Sequence, residues 1–390
     1  MVRLSDRLKG LSSSTTLDIT SRANALKKKG VDIVNFAAGE LDFQTPPFIR
    51  KAAVQALEEG FTRYTPVSGI PELKEAIAEK FKKDNQLSYT PSQIVISCGA
   101  KHSLYNLLQV LCNDGDEVMF GTPYWVSYPE LVRLAGGVPV GVSTEKSSFR
   151  LLRRDIEQHL TPNTKIVLLN SPSNPVGSVY EKKELEEIAE FIVSKNLFVI
   201  SDEIYEKLIF DGRQHYSIAS FGKEICNRTA TVNGVSKAYA MTGFRIGYFG
   251  APAEVAEAVG KVQSHSTSNA TSISQKAALA ALTGDQSDVS KIARELEQRR
   301  NRMYEGLAKI KGLRPVRPEG AFYIFCDISS LGWTSLEISN RLLDEAHVAS
   351  VPGEGFGDDR YVRFSFSVPL ITIDEGLRRI EDWVKTDAGH

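Results

Sequence analysis

From about residue 90 onward the chain alternates short, wholly apolar runs with amphipathic stretches, and this alternation constrains its fold more than any other feature. Ile94-Val95-Ile96 precede the helical pattern HSLYNLLQVL, and DEVMF precedes YPELVRLA. VPVGV follows, and KIVLLN leads through NPVG to the charged helix EKKELEEIAEFIV. LFVIS then ends in Asp202, TATVNG ends near Lys237, and RIGYFG precedes another helix. A strand that is apolar at every position has both faces covered. Strands of this kind separated by helices predict an α/β fold, a parallel sheet between two helical layers. In such sheets ligands gather at the carboxyl ends of the strands. The residues just after each apolar run are therefore the ones to read for chemistry.

Beyond about residue 285 the pattern changes. A long charged helix is predicted at roughly 288–310, followed by AFYIFCDI, a helix from Ser335, the strand YVRFSFS and a last helix after Asp374. This reads as a smaller α+β domain, to which VDIVNF in the first 45 residues returns. The expected division is a large domain at 46–288 and a small one made of 1–45 and 289–390. With 42% hydrophobic residues in 390, the chain has enough apolar surface for both cores.

Charge and cysteine usage exclude several classes. Forty-seven basic residues against 48 acidic ones leave a net charge of −1. That balance argues against a nucleic-acid or anionic-membrane partner, since either needs a concentrated basic face. No stretch approaches the ~18 apolar residues of a membrane span, and MVRLSDRLKGLSSSTT has no apolar run behind its positive charges. Cys98, Cys112, Cys226 and Cys326 are scattered and lack CxxC spacing. A disulfide framework or metal site is not expected, and a reducing, cytoplasmic compartment fits.

Four strand ends carry the chemistry. In SCGAKHS (97–103) a strand runs through a glycine turn into a helix, and free N–H groups at a helix start form an anion site. In NSPSNPVG (170–177) Asn174 stands before Pro175 at the mouth of an apolar strand. In LFVISDEIYE (197–206) Asp202 follows a buried strand directly, a costly place for a carboxylate without a cation, and Tyr205 lies three residues on. In VNGVSKAYAMTGFRIGY (232–248) Lys237 sits just past a buried strand, with Arg245 eight residues later. A lysine there can shed its proton and become a nucleophile. Each has an ordinary reading: a strand–helix turn, a loop, a helix cap by Asp202, a solvated lysine. Together they offer an anion cradle, an amide, a carboxylate with a phenol, and an amine with an arginine. That is the set a pyridoxal phosphate site needs: phosphate, ring nitrogen, ring oxygen and aldehyde each find a partner.

The segments AAGELDF, RYTPVSGIPELKEAIAEKF, PYWVSYPE, NSPSNPVGSVY, SDEIYE, SKAYAMTGFRIGY and PEGAFYIF resemble the class I, fold-type I aminotransferases, and within them the bacterial and plastid-type aspartate aminotransferase branch. The resemblance spans essentially the whole chain. It implies a mostly parallel seven-stranded sheet in the large domain and pyridoxal 5′-phosphate as cofactor, held as a Schiff base on Lys237. Asp202 would pair with the ring nitrogen, while Tyr205 and Asn174 would bond the ring oxygen. Arg245 and the Gly99-Ala100-Lys101 backbone would hold the phosphate, with Ser236 assisting, and Trp125 would stack on the ring. Arg363 would grip the substrate α-carboxylate through a bidentate fork, with the Gly39 backbone closing over it. Lys101 would meet a distal carboxylate, and Tyr64 would reach the phosphate of a neighbouring subunit in a homodimer with shared sites.

The implied reaction moves an amino group from L-aspartate to 2-oxoglutarate by a ping-pong route. A broader, aromatic or prephenate specificity, or another fold-type I enzyme such as a C–S β-lyase, shares most of these residues. Two departures stand out. Leu41 replaces the usual proline of AGEPDF, which is expected to loosen the loop. Ser12 stands where prephenate-accepting members carry lysine, which counts against prephenate.

Overall fold

The computed structural model describes residues 15–387 together with residues 2, 4, 5, 8, 10 and 11, leaving aside the side chains of 15–17 and 387. A short strand β1 (Val34–Asn35) precedes the large sheet. That sheet is built from β2 (Ile94–Ser97), β3 (Glu117–Thr122), β4 (Val138–Ser143), β5 (Thr164–Asn170), β6 (Phe198–Asp202), β7 (Thr229–Gly234) and β8 (Gly247–Gly250). Its seven strands lie in the order β2-β8-β7-β6-β5-β3-β4. Neighbours from β7 to β4 are parallel, whereas β8 runs antiparallel to both β7 and β2. The reason lies in the connection. Residues 235–246 hold only the 3-10 turn Thr242–Phe244, and a parallel return needs a helical crossover.

The apolar runs behave as expected of strands covered on both faces. Along β5, Ile166 and Leu168 join the core under the helices Ala100–Leu111 and Ala253–Ser264. Val167 and Leu169 point the other way, against Leu185, Ile188 and Ile192 of the helix Lys182–Lys195. Register then aligns the reactive ends. Asn170 lies beside Asp202, Asp202 beside Val232, and Gly234 and Ser97 both beside Gly247. Because β8 is antiparallel, its entry, just after Arg245, falls at the same edge of the sheet.

The C-terminal part holds β9 (Arg314–Pro315), β10 (Tyr323–Asp327), β11 (Val348–Ala349), β12 (Val351–Pro352) and β13 (Tyr361–Ser365). Four of these form an antiparallel sheet in the order β12-β13-β10-β9. The early strand β1 pairs in parallel with β11, Val34 opposite Val348. The long helix is Ser287–Lys309, and it buries Ile292, Leu296, Met303 and Leu307 in the same core as Phe322, Ile324, Phe364 and Trp383. The last helix spans Leu370–Asp387. It therefore opens before Asp374 rather than after it, directly following Pro369, whose fixed φ suits a helix start. Among the described residues no helix is long and apolar enough to cross a membrane.

Candidate active site

A cleft of about 510 Å³ opens at the carboxyl edge of the large sheet, and residues from both parts of the chain line it. Asn170 and Asp202 end strands β5 and β6, Asn174, Tyr205, Ser236, Lys237 and Arg245 come from loops at the sheet edge, Ala100 and Lys101 from the helix after β2, and Trp125 from the segment after β3. Gly39, Tyr323 and Arg363 close it from the opposite side.

Asp202 ends β6 and is 4% exposed. Residues 204–207 form a turn and no α-helix, so the carboxylate is not a helix cap. Tyr128 donates its hydroxyl to Oδ2 at 2.7 Å, and the Ile204 N–H donates to Oδ1 at 3.4 Å. Burial nevertheless pushes the carboxyl up to about 6, with these two bonds pulling against it. A group in that state favours a cation brought against it.

Lys237 follows β7 in a turn whose neighbours are buried. Its Nζ donates to the Gly39 carbonyl at 2.6 Å and lies 5.7 Å from the centre of the Tyr205 ring. Burial, and then the Arg363 cation, lowers the amine from 10.5 to about 8, against a smaller opposing pull from Glu40. About a tenth of the amine is then neutral at pH 7, against fewer than one in a thousand for a solvated lysine.

The anion cradle depends on two glycines. Gly99 has φ +89°, and a Cβ there would lie 2.5 Å from Nη2 of Arg245. A Cβ on Gly247 would lie 2.1 Å from the Ala100 nitrogen. Only without side chains at both places can the start of helix Ala100–Leu111, the entry to β8 and the Arg245 guanidinium pack together. Arg245 is itself left-handed (φ 56°) and donates to the Thr242 carbonyl at 3.1 Å. The buried Ser236 lines the cleft nearby. Orphan helix N–H groups beside a guanidinium suit a phosphate.

Arg363, on β13, is 2% exposed. It donates to Asn174 Oδ1 at 3.0 Å and to the Ala37 carbonyl at 3.1 Å, and its guanidinium carbon stands 4.2 Å from the Tyr323 ring centre. Two bonds leave N–H capacity toward the cleft, as a carboxylate clamp requires. Across the cleft, the Lys101 Nζ lies 4.9 Å from the Trp125 ring centre. Burial of that ammonium, and then Arg245, lowers its pKa, even though the residue as a whole is exposed at the cleft rim.

Tyr64 is 89% exposed and does not line the cleft, so within one chain the structure does not bring it to the other residues. Ser12 lies outside the described residues. Leu41 packs, partly buried, against the small sheet's core. Sequence reading missed Tyr128, Tyr323 and Asn170, whose amide donates to the Asp202 carbonyl at 2.9 Å. Both tyrosines stood inside quoted motifs, but their hydroxyls' partners, Asp202 and Tyr205, are distant in sequence.

Behind Asp202 lies a buried polar knot. Glu203 accepts from Ser201 (2.8 Å), Ser217 (2.6 Å) and His215 (2.8 Å), and Asn85 bridges Glu203 and Glu206. Lys80 ion-pairs with Glu206. With the Lys80 ammonium on Glu206 and four neutral or imidazole donors on Glu203, this cluster reads as a structural network rather than a metal centre.

The family described as aminotransferase class I and II matches residues 31–380. An aspartate aminotransferase of Bacillus sp. (strain YM-2) is 46% identical over 98% of this chain and 99% of its own. A probable aspartate/prephenate aminotransferase of Aquifex aeolicus is 46% identical over 97% of this chain and 98% of its own. The solved aspartate aminotransferase from Thermus thermophilus with maleate superposes with a TM-score of 0.94 at 42% identity, covering 98% of this chain and 100% of that one. Sequence, fold and site agree, and the chain belongs to the class I and II aminotransferase family, in its aspartate aminotransferase branch.

Proposed function

We propose that this enzyme transfers the amino group of L-aspartate to 2-oxoglutarate, reversibly and in two half-reactions, with pyridoxal 5′-phosphate as cofactor. The observation that carries the reading is one cleft holding a half-buried amine lowered to about 8, a buried carboxylate raised to about 6 and an arginine with spare donors. When bound, pyridoxal phosphate supplies an aldehyde for the amino group and a ring that stores the electron pair released at the substrate Cα.

The chain's residues supply the rest. Lys237 would hold the cofactor's aldehyde and would supply the amine that moves the proton at the substrate Cα. A partly neutral amine can do this near neutral pH. Asp202, held by Tyr128, would take the ring nitrogen and keep it protonated. Tyr205 and Asn174 would serve the ring oxygen, while Trp125 would cover the ring face. Arg245, Ser236 and the N–H groups from Gly99 to Lys101 take the phosphate, a role that the glycine-dependent packing supports. Arg363 and Gly39 hold the α-carboxylate, and Lys101 receives the distal one.

The same proposal includes a homodimer in which Tyr64 reaches the neighbouring site; its exposure in a single chain supports a role outside that chain's own cleft. It also includes the division into 46–288 against 1–45 with 289–390, supported by the pairing of β1 with β11. Four free cysteines suit a reducing, cytoplasmic setting.

The test is a set of half-reactions. Purified, cofactor-loaded enzyme is mixed separately with aspartate, glutamate, alanine, tyrosine and cysteine, and loss of the bound cofactor's visible band is followed. Fast loss with aspartate and glutamate supports the reading. Loss with cysteine alone, accompanied by sulfide release, would replace it with a β-lyase.

A further inference from the structure

Tyr323 is almost wholly buried and touches three parts of the site at once. On β10 it lies opposite Ser365, so that Arg363, two residues along β13, is its diagonal neighbour on the same face. Its ring centre stands 4.2 Å from the Arg363 guanidinium carbon. Its hydroxyl lies 3.1 Å from that of Tyr205. A Cβ on Gly39 would be 3.6 Å from the same hydroxyl.

Each phenol carries a single proton. If Tyr205 gives its O–H to the cofactor's ring oxygen, as in the reading above on which this inference rests, its oxygen can only accept from Tyr323. The donors are then ordered: Tyr323 to Tyr205, and Tyr205 to the cofactor. Bonds in such a chain polarise one another, so a stronger first donor makes a stronger second one. The first donor's ring is stacked on a cation, which withdraws electron density from it. A substrate carboxylate seated on Arg363 offsets that cation. We propose that Tyr323 is a positioning residue that carries the charge state of the substrate-binding arginine to the cofactor's ring oxygen through the Tyr205 hydroxyl.

The sign follows. A donor at the ring oxygen holds that oxygen anionic and eases loss of the proton on the adjoining Lys237 nitrogen. Weakening the donor raises the pH at which the bound cofactor's visible band changes. Substrate on Arg363 thus promotes a protonated nitrogen just when displacement of Lys237 requires it.

The test uses cofactor-loaded wild type, Tyr323→Phe, Tyr205→Phe and the double variant, titrated spectrally with and without saturating maleate, a dicarboxylate lacking an amino group. Phenylalanine keeps the ring over Arg363 and removes only the hydroxyl. Tyr323→Phe should raise the midpoint by about half a pH unit, shrink the maleate-induced shift, and lower kcat about fivefold with KM for aspartate little changed. In the Tyr205→Phe background it should add nothing further. Additive effects, or a full maleate shift in Tyr323→Phe, would overturn the inference, because a packing role moves the melting temperature and not the midpoint. Should Tyr323→Phe fail to fold, Tyr205→Phe breaks the same bond and must itself show the smaller maleate shift; a full shift refutes the coupling. A wild-type chain that forms no cofactor band sinks the functional reading and this inference together. A wild type with its band and turnover, beside an unaffected Tyr323→Phe, sinks the inference alone.

Discussion

Replacing Lys237 by methionine keeps a side chain of similar length in the cleft and removes the ammonium that burial disfavours. The drop from 10.5 to about 8 measures that disfavour. At about 1.4 kcal/mol per pH unit it amounts to roughly 3 kcal/mol against the protonated amine. Two corrections reduce it. Lys237 keeps partial exposure to the cleft, where water screens the charge, and methionine gives up the bond to the Gly39 carbonyl, worth about 1 kcal/mol. Cofactor-free Lys237→Met should therefore be more stable than wild type by about 1–2 kcal/mol at pH 7. The sign with pH is fixed. Between about 8 and 10.5 the unfolded chain binds a proton that the native chain does not, so wild-type stability rises with pH across that window. The variant's advantage should be complete below pH 8 and gone by about pH 10.5. Urea unfolding of both cofactor-free proteins, at equal concentration and several pH values, reads this directly. A variant less stable at pH 7, or an advantage indifferent to pH, would show that the amine is not held in an environment hostile to its charge.

Further outcomes are expected of the site. Asp202→Asn should fold normally yet lose at least a hundredfold in kcat, since a neutral amide cannot hold a ring proton; a fully active variant in a steady-state assay would return Asp202 to a structural role. Lys101→Ser should reduce kcat/KM for aspartate and glutamate by on the order of thirtyfold or more while sparing alanine and phenylalanine. Equal losses on all four substrates would assign Lys101 to phosphate binding or packing. Mixing inactive Lys237→Ala and inactive Tyr64→Ala chains should restore part of the activity through hybrid sites, and no recovery after verified subunit exchange would count against a shared site.

Legibility in the sequence followed how local the determining physics is. Strands such as IVLLN and FVIS are buried on both faces, so composition alone reveals them, and the reactive residues stand at their ends. The reversed direction of β8 was less visible, because RIGYFG looks like its parallel neighbours and only the missing helix before it betrays the turn. Tyr128 and Tyr323 escaped for a different reason. An aromatic residue in PYWVSYPE or AFYIF is explained equally well by packing, and its hydroxyl's partner, Asp202 or Tyr205, lies more than 70 positions away. Arg363 was recognised only through family resemblance; nothing in YVRFSFS by itself distinguishes a buried clamp from an edge-strand arginine. The glycine requirement at Gly247 depends on the approach of Ala100, a contact between distant segments that no local pattern encodes.

The parallel pairing of β1 with β11 has a consequence for synthesis. Val34 emerges from the ribosome more than 300 residues ahead of Val348, its partner across the ladder. Every strand of the large sheet is made in between, so that sheet can assemble while the leading segment still lacks a docking surface. Arg363 and Tyr323 belong to the late-arriving sheet, and the cleft cannot be completed until both have been made. At typical elongation rates of ~5–20 residues per second the leading segment waits on the order of tens of seconds. A nascent chain stalled after residue 288 should display a protease-resistant large sheet together with a cleavable segment around Val34, and synthesis of residues 289–390 should protect both at once.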